Sequence, residues 1–132
     1  MSVKGNSERQ AFLRNEMIKR EKRTKRSNYV LKISAVIKPG MKLLDVGCGT
    51  AHIIGDLAAL YKDAIFVGLD VSPAMLKIAK LNTMRLPNVM LVEGNGLKLP
   101  FTDRSFNIAI TRLAEYSPQE VYRVLKKRRV FL

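Results

Sequence analysis

The chain has little of what several classes of protein require. Its 132 residues include one cysteine, Cys48, which excludes an internal disulfide framework. No apolar run approaches the ~20 residues of a membrane span, and the basic N-terminal segment is not followed by a signal-type apolar stretch. One histidine and one cysteine cannot supply the spaced ligands of a zinc site. These absences favour a single cytoplasmic domain with no membrane contact and no metal.

Acidic residues are scarce at the two ends of the chain. Residues 1–42 hold twelve Lys and Arg against three acids, residues 43–125 hold eight of each, and residues 126–129 are all basic. The net charge of +13 therefore belongs to residues 1–42, of which 1–28 are predicted to form a basic N-terminal helical arm, and to a short tail. Basic flanks around a neutral body suit a polyanion, and RNA is the leading hypothesis. An acidic protein partner, or simple solvation of a Lys/Arg-rich helix, stays open.

The chain does have a glycine-rich loop after a short apolar strand. Leu43–Val46 runs into Gly47-Cys-Gly49 and then into a helical pattern. Without Cβ atoms, Gly47 and Gly49 let the backbone turn sharply near a ligand, and the next helix offers unpaired N–H groups. The third glycine of the dinucleotide fingerprint is missing, and Asp45 would repel a pyrophosphate. The loop therefore favours a nucleotide-like cofactor with a cationic end over a nicotinamide dinucleotide.

Four blocks in one order resemble class I S-adenosylmethionine (SAM) dependent methyltransferases. Residues 43–50 resemble the first motif, and 65–76 the second strand, its terminal acid and the next helix. Residues 89–101 resemble the third strand and adenine loop, Phe106–Thr111 the fourth strand, and Glu120–Lys126 the helix after it. Ala51 stands where the family has a further glycine. The family's Pro-Gly-Gly turn and its last strands have no counterpart, so the resemblance covers the cofactor half of the domain.

The resemblance implies how the methionine portion of SAM would be held. Asp45 would bind the methionine amino group, directly or through water. Gly47 and Gly49 would let the backbone pass the methionine chain. Cys48 is predicted to be a structural or cofactor contact rather than a nucleophile, because it has no catalytic partner in the pattern.

The resemblance also implies contacts to the nucleoside. Asp70 would accept hydrogen bonds from both ribose hydroxyls, and Val71 would pack on the adenine. Asn95 stands where the family often has an aspartate, and its amide oxygen can still accept from the adenine amino group. Gly96 would offer a backbone N–H to the ring.

The acceptor is much less defined than the cofactor. Methyl transfer needs an aligned nucleophile and little else, because the sulfonium is already activated. Thr111 and Arg112 would face the sulfonium and the substrate, but no residue is predicted to be catalytic. Two functions stay open: SAM-dependent methyl transfer to an unidentified acceptor, with RNA as one candidate, or a catalytically silent SAM-binding regulatory or structural subunit.

The order of elements predicts the fold. From Leu43 onward it runs β-α-β-α-β-β-α-β, which indicates an α/β, Rossmann-like, doubly wound parallel sheet, truncated after about five strands. A helix is predicted from about Ser7 to Thr24, and an amphipathic one from Tyr29 to before Pro39 should pack on the sheet and partly lid the cofactor. Residues 29–132 would form the SAM-binding domain. A homodimer or partner chain is expected to cover the open sheet edge.

Overall fold

A computed structural model describes residues 3–20 and 25–132, with side chains at 7–15, 28–127 and 130–132. Helices and strands alternate over most of this length. In chain order they are α1 Val3–Arg20, α2 Lys25–Ser34, β1 Lys42–Val46, α3 His52–Leu60, β2 Ile65–Asp70, α4 Pro73–Asn82, β3 Val89–Glu93, β4 Phe106–Thr111, α5 Pro118–Val124 and β5 Leu125–Phe131.

The strands form one parallel sheet in the order β3-β2-β1-β4-β5. The chain builds outward from β1 to β3 and then crosses over to β4. The order therefore reverses between β1 and β4, and ligands of open α/β sheets bind at the carboxyl ends of the strands beside such a reversal. The predicted doubly wound parallel sheet is confirmed.

The core has two layers, one on each face of the sheet. Leu43 and Phe66 face a layer that includes Ile33 of α2 and Leu57 of α3. The adjacent residue Leu44 faces the opposite layer, which Phe106, Val121 and Val124 help to fill. Because both faces are covered, β1 is almost wholly apolar, and Asp45 at its end is a buried exception.

The C-terminal end differs from the prediction. The prediction of a helix over Glu120–Lys126 is wrong at its C-terminal end, because α5 ends at Val124 and Leu125 is already extended. Leu125 is buried and pairs with Phe106, while Val130 pairs with Ile108. The single β4 residue between Phe106 and Ile108 thus lies opposite the four basic residues 126–129. These four residues therefore bulge from the edge strand. Burial of Leu125 against the sheet decides this end of the helix.

The N-terminal helices have different bounds from those expected. The helix predicted for Ser7–Thr24 runs over Val3–Arg20, and residues 21–24 lie outside the described ranges. It packs on α4, where Glu8 lies 3.6 Å from Lys77. The division of the chain after residue 28 stays a prediction. No helix in the described ranges is long and apolar enough to cross a membrane.

Candidate functional site

The loop after β1 adopts the turn that its glycines allow. Gly47 has φ +82° and Gly49 has φ +57°, both in the left-handed region. A Cβ on Gly47 would overlap the Cβ of Ala114, so the loop also needs a residue without a side chain there. Ala51, at the position where a further glycine was expected, keeps the glycine-like φ of +65°. Ala51 therefore holds a left-handed conformation at a strain of roughly 1–2 kcal/mol.

Asp70 joins the glycine loop to the start of α4. Its Oδ2 accepts the Gly49 N–H at 2.8 Å and its Oδ1 accepts the Ser72 N–H at 3.0 Å. The Ser72 side chain in turn caps α4 by accepting the Met75 N–H at 3.2 Å. The carboxylate is therefore fixed at the carboxyl end of β2, beside Val71, whose side chain is 66% exposed.

A cavity of about 330 Å³ opens between the carboxyl ends of β1, β2 and β4. A smaller one adjoins it on the side of the glycine loop. Among the predicted residues, the larger cavity is lined by Gly47, Gly49, Asp70, Val71, Asn95, Gly96 and Arg112, and the smaller by Asp45, Gly47, Cys48, Gly49 and Arg112.

Thr111 is the predicted residue that lines neither cavity. Its hydroxyl donates to the carbonyl oxygen of Val46 at 3.1 Å, and its own carbonyl accepts the Tyr29 hydroxyl at 3.1 Å. Thr111 therefore ties β4 to β1 and to α2. The cofactor role predicted for it gains no support from this placement.

Asp45 is buried next to a cation. Burial raises the pKa of its carboxyl to about 7, the charge of Arg112 opposes that rise, and Asp70 adds to it. Burial, followed by the charges of Asp45 and Asp70, also raises the pKa of the Cys48 thiol. The thiol is therefore protonated at neutral pH, which agrees with a structural or cofactor contact rather than nucleophilic chemistry.

The loop after β3 is held by hydrogen bonds and by close packing against the segment before α5. The Asn95 Oδ1 accepts the Leu97 N–H at 2.9 Å, and Gly96 accepts the Ser117 N–H at 3.1 Å. A Cβ on Gly96 would overlap the carbonyl oxygen of Glu115. Close packing of two loops therefore requires a glycine at position 96. The Asn95 side-chain oxygen already accepts one hydrogen bond within its own turn.

Two residues of α1 were missed by sequence reasoning. Arg14 lines both cavities. Asn15 is buried, and its Oδ1 lies 2.6 Å from the His52 Nε2 and accepts from the Asn82 Nδ2 at 3.0 Å. No local pattern links residue 15 to positions so far along the chain, so sequence carried no signal for either contact.

Among the described helices before β1, α1 is the one that contributes a side chain to the lining of the two cavities. The amphipathic helix beginning near Tyr29 was expected to lid the cofactor in part, but no described side chain of α2 lines either cavity. Tyr29 of α2 instead makes a cation–π contact with Arg112, whose guanidinium carbon lies 5.6 Å from the ring centroid. The prediction that α2 packs on the sheet is confirmed by buried Ile33, and the prediction that it lids the cofactor gains no support from this placement.

Residues 43–130 match a family model described as "methyltransferase domain". The chain belongs to this methyltransferase family. It is similar to the demethylmenaquinone methyltransferase of Lysinibacillus sphaericus, at 36% identity over 92 residues, covering 69% of this chain and 39% of that protein. The chain thus spans about two fifths of the length of that curated relative.

Solved methyltransferases share the fold. A SAM-dependent methyltransferase from Aquifex aeolicus is 28% identical with a TM-score of 0.62, over 75% of this chain and 57% of that one. A putative methyltransferase from Haloferax volcanii, solved with the Trm112 methyltransferase activator, has a TM-score of 0.78 at 22% identity, over 95% and 57% of the two chains. The latter similarity concerns the fold alone.

The cofactor of the methyltransferase family is SAM. The two cavities fit it, because the Asp70 carboxylate lines the larger one and the Asp45 carboxylate lines the smaller one, as a nucleoside with a cationic end requires. In the described part of the chain, the Thr50 hydroxyl is the buried side-chain polar atom without a hydrogen-bond partner, and Thr50 lines the smaller cavity. An unsatisfied hydroxyl beside Asp45 suits a polar ligand end rather than an apolar one.

Proposed function

We propose that the chain binds SAM and takes part in transfer of its methyl group to an acceptor. The observation that carries this proposal is the fixed Asp70 carboxylate between the glycine loop and the larger cavity. A carboxylate held at the end of the second strand is suited to accept two neighbouring ribose hydroxyls. Membership of the methyltransferase family supports the same role.

Each residue has a role in this proposal that follows from its place. Asp70 and Val71 hold the ribose and adenine from the β2 side, and Asn95 and Gly96 border the adenine from the β3 side. Asp45, at the end of β1, attracts the methionine ammonium. When bound, SAM supplies an electrophilic methyl group on a sulfonium, so the chain's own residues need only orient the acceptor and exclude water.

Binding and methyl transfer can be tested separately. We expect the purified chain to bind S-adenosylhomocysteine (SAH) saturably in a calorimetric titration and not to bind NAD. Transfer of a radioactive methyl group from SAM is then assayed with naphthoquinols, which the relatives' names suggest, and with RNA. Binding without any transfer would favour the silent-subunit alternative, and no binding would contradict the proposal.

Asp45 should make cofactor binding depend on pH. The pKa of the buried carboxyl is about 7 without ligand, and a bound ammonium favours its ionised form. Affinity for SAH should therefore be greatest above pH 7 and should weaken as the pH falls from about 7 to 5, by up to about tenfold per unit. Calorimetry at each pH measures this, and an Asp45→Asn variant should bind more weakly with a flat profile. An equally steep profile in that variant would exclude Asp45 as the titrating group.

RNA stays a second candidate acceptor or partner, because the basic residues are concentrated at the ends of the chain. Most of those in the arm fall on side chains outside the described ones. If RNA binds there, log affinity should fall against log salt with a slope of about −0.7 per phosphate contacted. Fluorescence anisotropy with a labelled single strand between 50 and 300 mM salt measures it. A slope near zero would contradict electrostatic binding.

A partner chain is inferred from the edge of the sheet, where β5 has no second neighbouring strand among the described residues. Four basic residues bulge from this edge, and like charges disfavour pairing of two copies across it. An acidic partner chain is therefore favoured over a homodimer, and the Haloferax fold neighbour is itself a complex with an activator protein. Light scattering should give a monomer of 14.9 kDa. A stable dimer at micromolar concentration would contradict this preference.

A further inference from the structure

We propose that Arg14 and Arg112 together bind an anionic group of the methyl acceptor, an inference that rests on the methyl transfer proposed above. Arg14 comes from α1 and Arg112 follows β4, yet both line both cavities. The larger cavity holds the residues assigned to the nucleoside, and the smaller one holds Asp45, assigned to the methionine end. The two guanidinium groups therefore stand where the cavities meet, which is where the reacting methyl group would lie.

Both arginines are uncommitted as hydrogen-bond donors. In the described part of the chain, neither has a carboxylate within ion-pair distance. Arg123 shows what a structural arginine looks like in this protein, since its guanidinium contacts Glu120 at 2.7 Å and Asp103 at 2.9 Å. Arg112 is instead oriented by the ring of Tyr29, a contact that leaves its N–H groups available.

The acids around these cavities have other partners. Asp70 accepts two backbone N–H groups and is assigned to the ribose. Asp45 is buried at the end of β1 and is assigned to the methionine ammonium. Glu115 lines the larger cavity but not the smaller one, so it is not shared between them as the arginines are. An anionic group of the acceptor would complement the pair, and the comparison of SAH with 5′-methylthioadenosine below separates this from binding of the cofactor's own carboxylate.

Guanidinium groups recognise oxygen anions through paired N–H donors. Each offers five N–H donors in a fixed arrangement that matches the two oxygens of a carboxylate, and an ionised aromatic hydroxyl can accept from one or two of them. The guanidinium groups of Arg14 and Arg112, both where the two cavities meet, would select an acidic small molecule and orient its anionic group toward themselves. The pair thus defines a chemical class for the acceptor, a compound with a carboxylate or acidic hydroxyl near the methylated atom, and positions it without taking a proton.

The test uses the intact chain saturated with SAH. Calorimetry compares 1-hydroxy-2-naphthoate with its neutral amide, 1-hydroxy-2-naphthamide, as probes of equal shape. The naphthoate should bind at least about tenfold more tightly than the amide, and Arg14→Gln and Arg112→Gln should each remove that preference. Arg9→Gln, an exposed arginine of the same helix, should retain it and serves as the matched control. SAH affinity is measured first for every variant, and each probe is then titrated at a SAH concentration that saturates that variant, so a change in cofactor binding is separated from a change in acceptor binding.

Three results would overturn the inference. The first is equal binding of acid and amide by the wild-type chain. The second is a preference for the acid that survives in both variants. In the third, Arg14→Gln weakens SAH but leaves 5′-methylthioadenosine, which lacks the amino-acid carboxylate, unaffected; Arg14 would then serve the cofactor instead. Failure of the wild-type chain to bind SAH at all would overturn the proposed function as well, and is seen before either probe is added.

Discussion

Replacing Asp70 by alanine is expected to weaken SAH binding at least about 100-fold, because two charge-assisted hydrogen bonds to the ribose are lost together. The same change removes the acceptor of the Gly49 and Ser72 N–H groups, so the loop and the start of α4 lose their common anchor. Calorimetric titration of the variant with SAH measures the loss.

Asp63→Ala provides the control for charge, since Asp63 is an exposed carboxylate away from both cavities. Its affinity for SAH should equal that of the wild-type chain. Thermal unfolding of both variants shows whether the fold survives. A folded Asp70→Ala variant with unchanged affinity would contradict the assigned ribose contact.

Replacing Gly47 by alanine should produce the largest loss of stability among the changes considered at the site. The new methyl group would overlap the side chain of Ala114 and would sit on a backbone with φ +82°. Strain of about 1–2 kcal/mol and overpacking of about 1–3 kcal/mol should add in the free energy of unfolding. Displacement of the loop should also abolish SAH binding.

Gly40 offers a matched comparison for Gly47. Its φ is +83°, but a Cβ there would meet nothing within 4 Å. Gly40→Ala should therefore show the backbone cost alone, and urea unfolding of the two variants separates strain from overlap. An Ala114→Gly change added to Gly47→Ala should recover the overlap cost. Equal losses in the two single variants would show that the loop accommodates the methyl group.

Local patterns were sufficient for the sheet and for most of the site. The strands of a doubly wound sheet are short apolar runs, and the functional residues follow directly after them, as Asp45 follows Leu44 and Asp70 follows Leu69. Since the carboxyl ends of parallel strands meet at one edge, residues far apart in sequence are brought together by the topology alone. Of the predicted site residues, only Thr111 was not brought to a cavity.

Patterns failed where a contact joins distant segments. Nothing near Leu125 in sequence says that its side chain pairs against Phe106, yet that burial ends α5 and makes the basic residues bulge. The helical propensity of Lys and Arg favoured a longer helix, and tertiary packing overrode it. Polarity and charge likewise predicted only a basic arm, either for RNA or simply solvated, and gave no sign that buried Asn15 holds α1 over the site.

Periodicity and residues adjacent in the chain were enough to predict the parallel sheet, the glycine loop and the acids at the carboxyl ends of β1 and β2. Folding added three features that no pattern predicted: α1 covers the site, Arg14 joins Arg112 where the two cavities meet, and the basic tail lies on a strand edge. Those features depend on contacts between segments far apart in sequence, and no local pattern encodes such contacts.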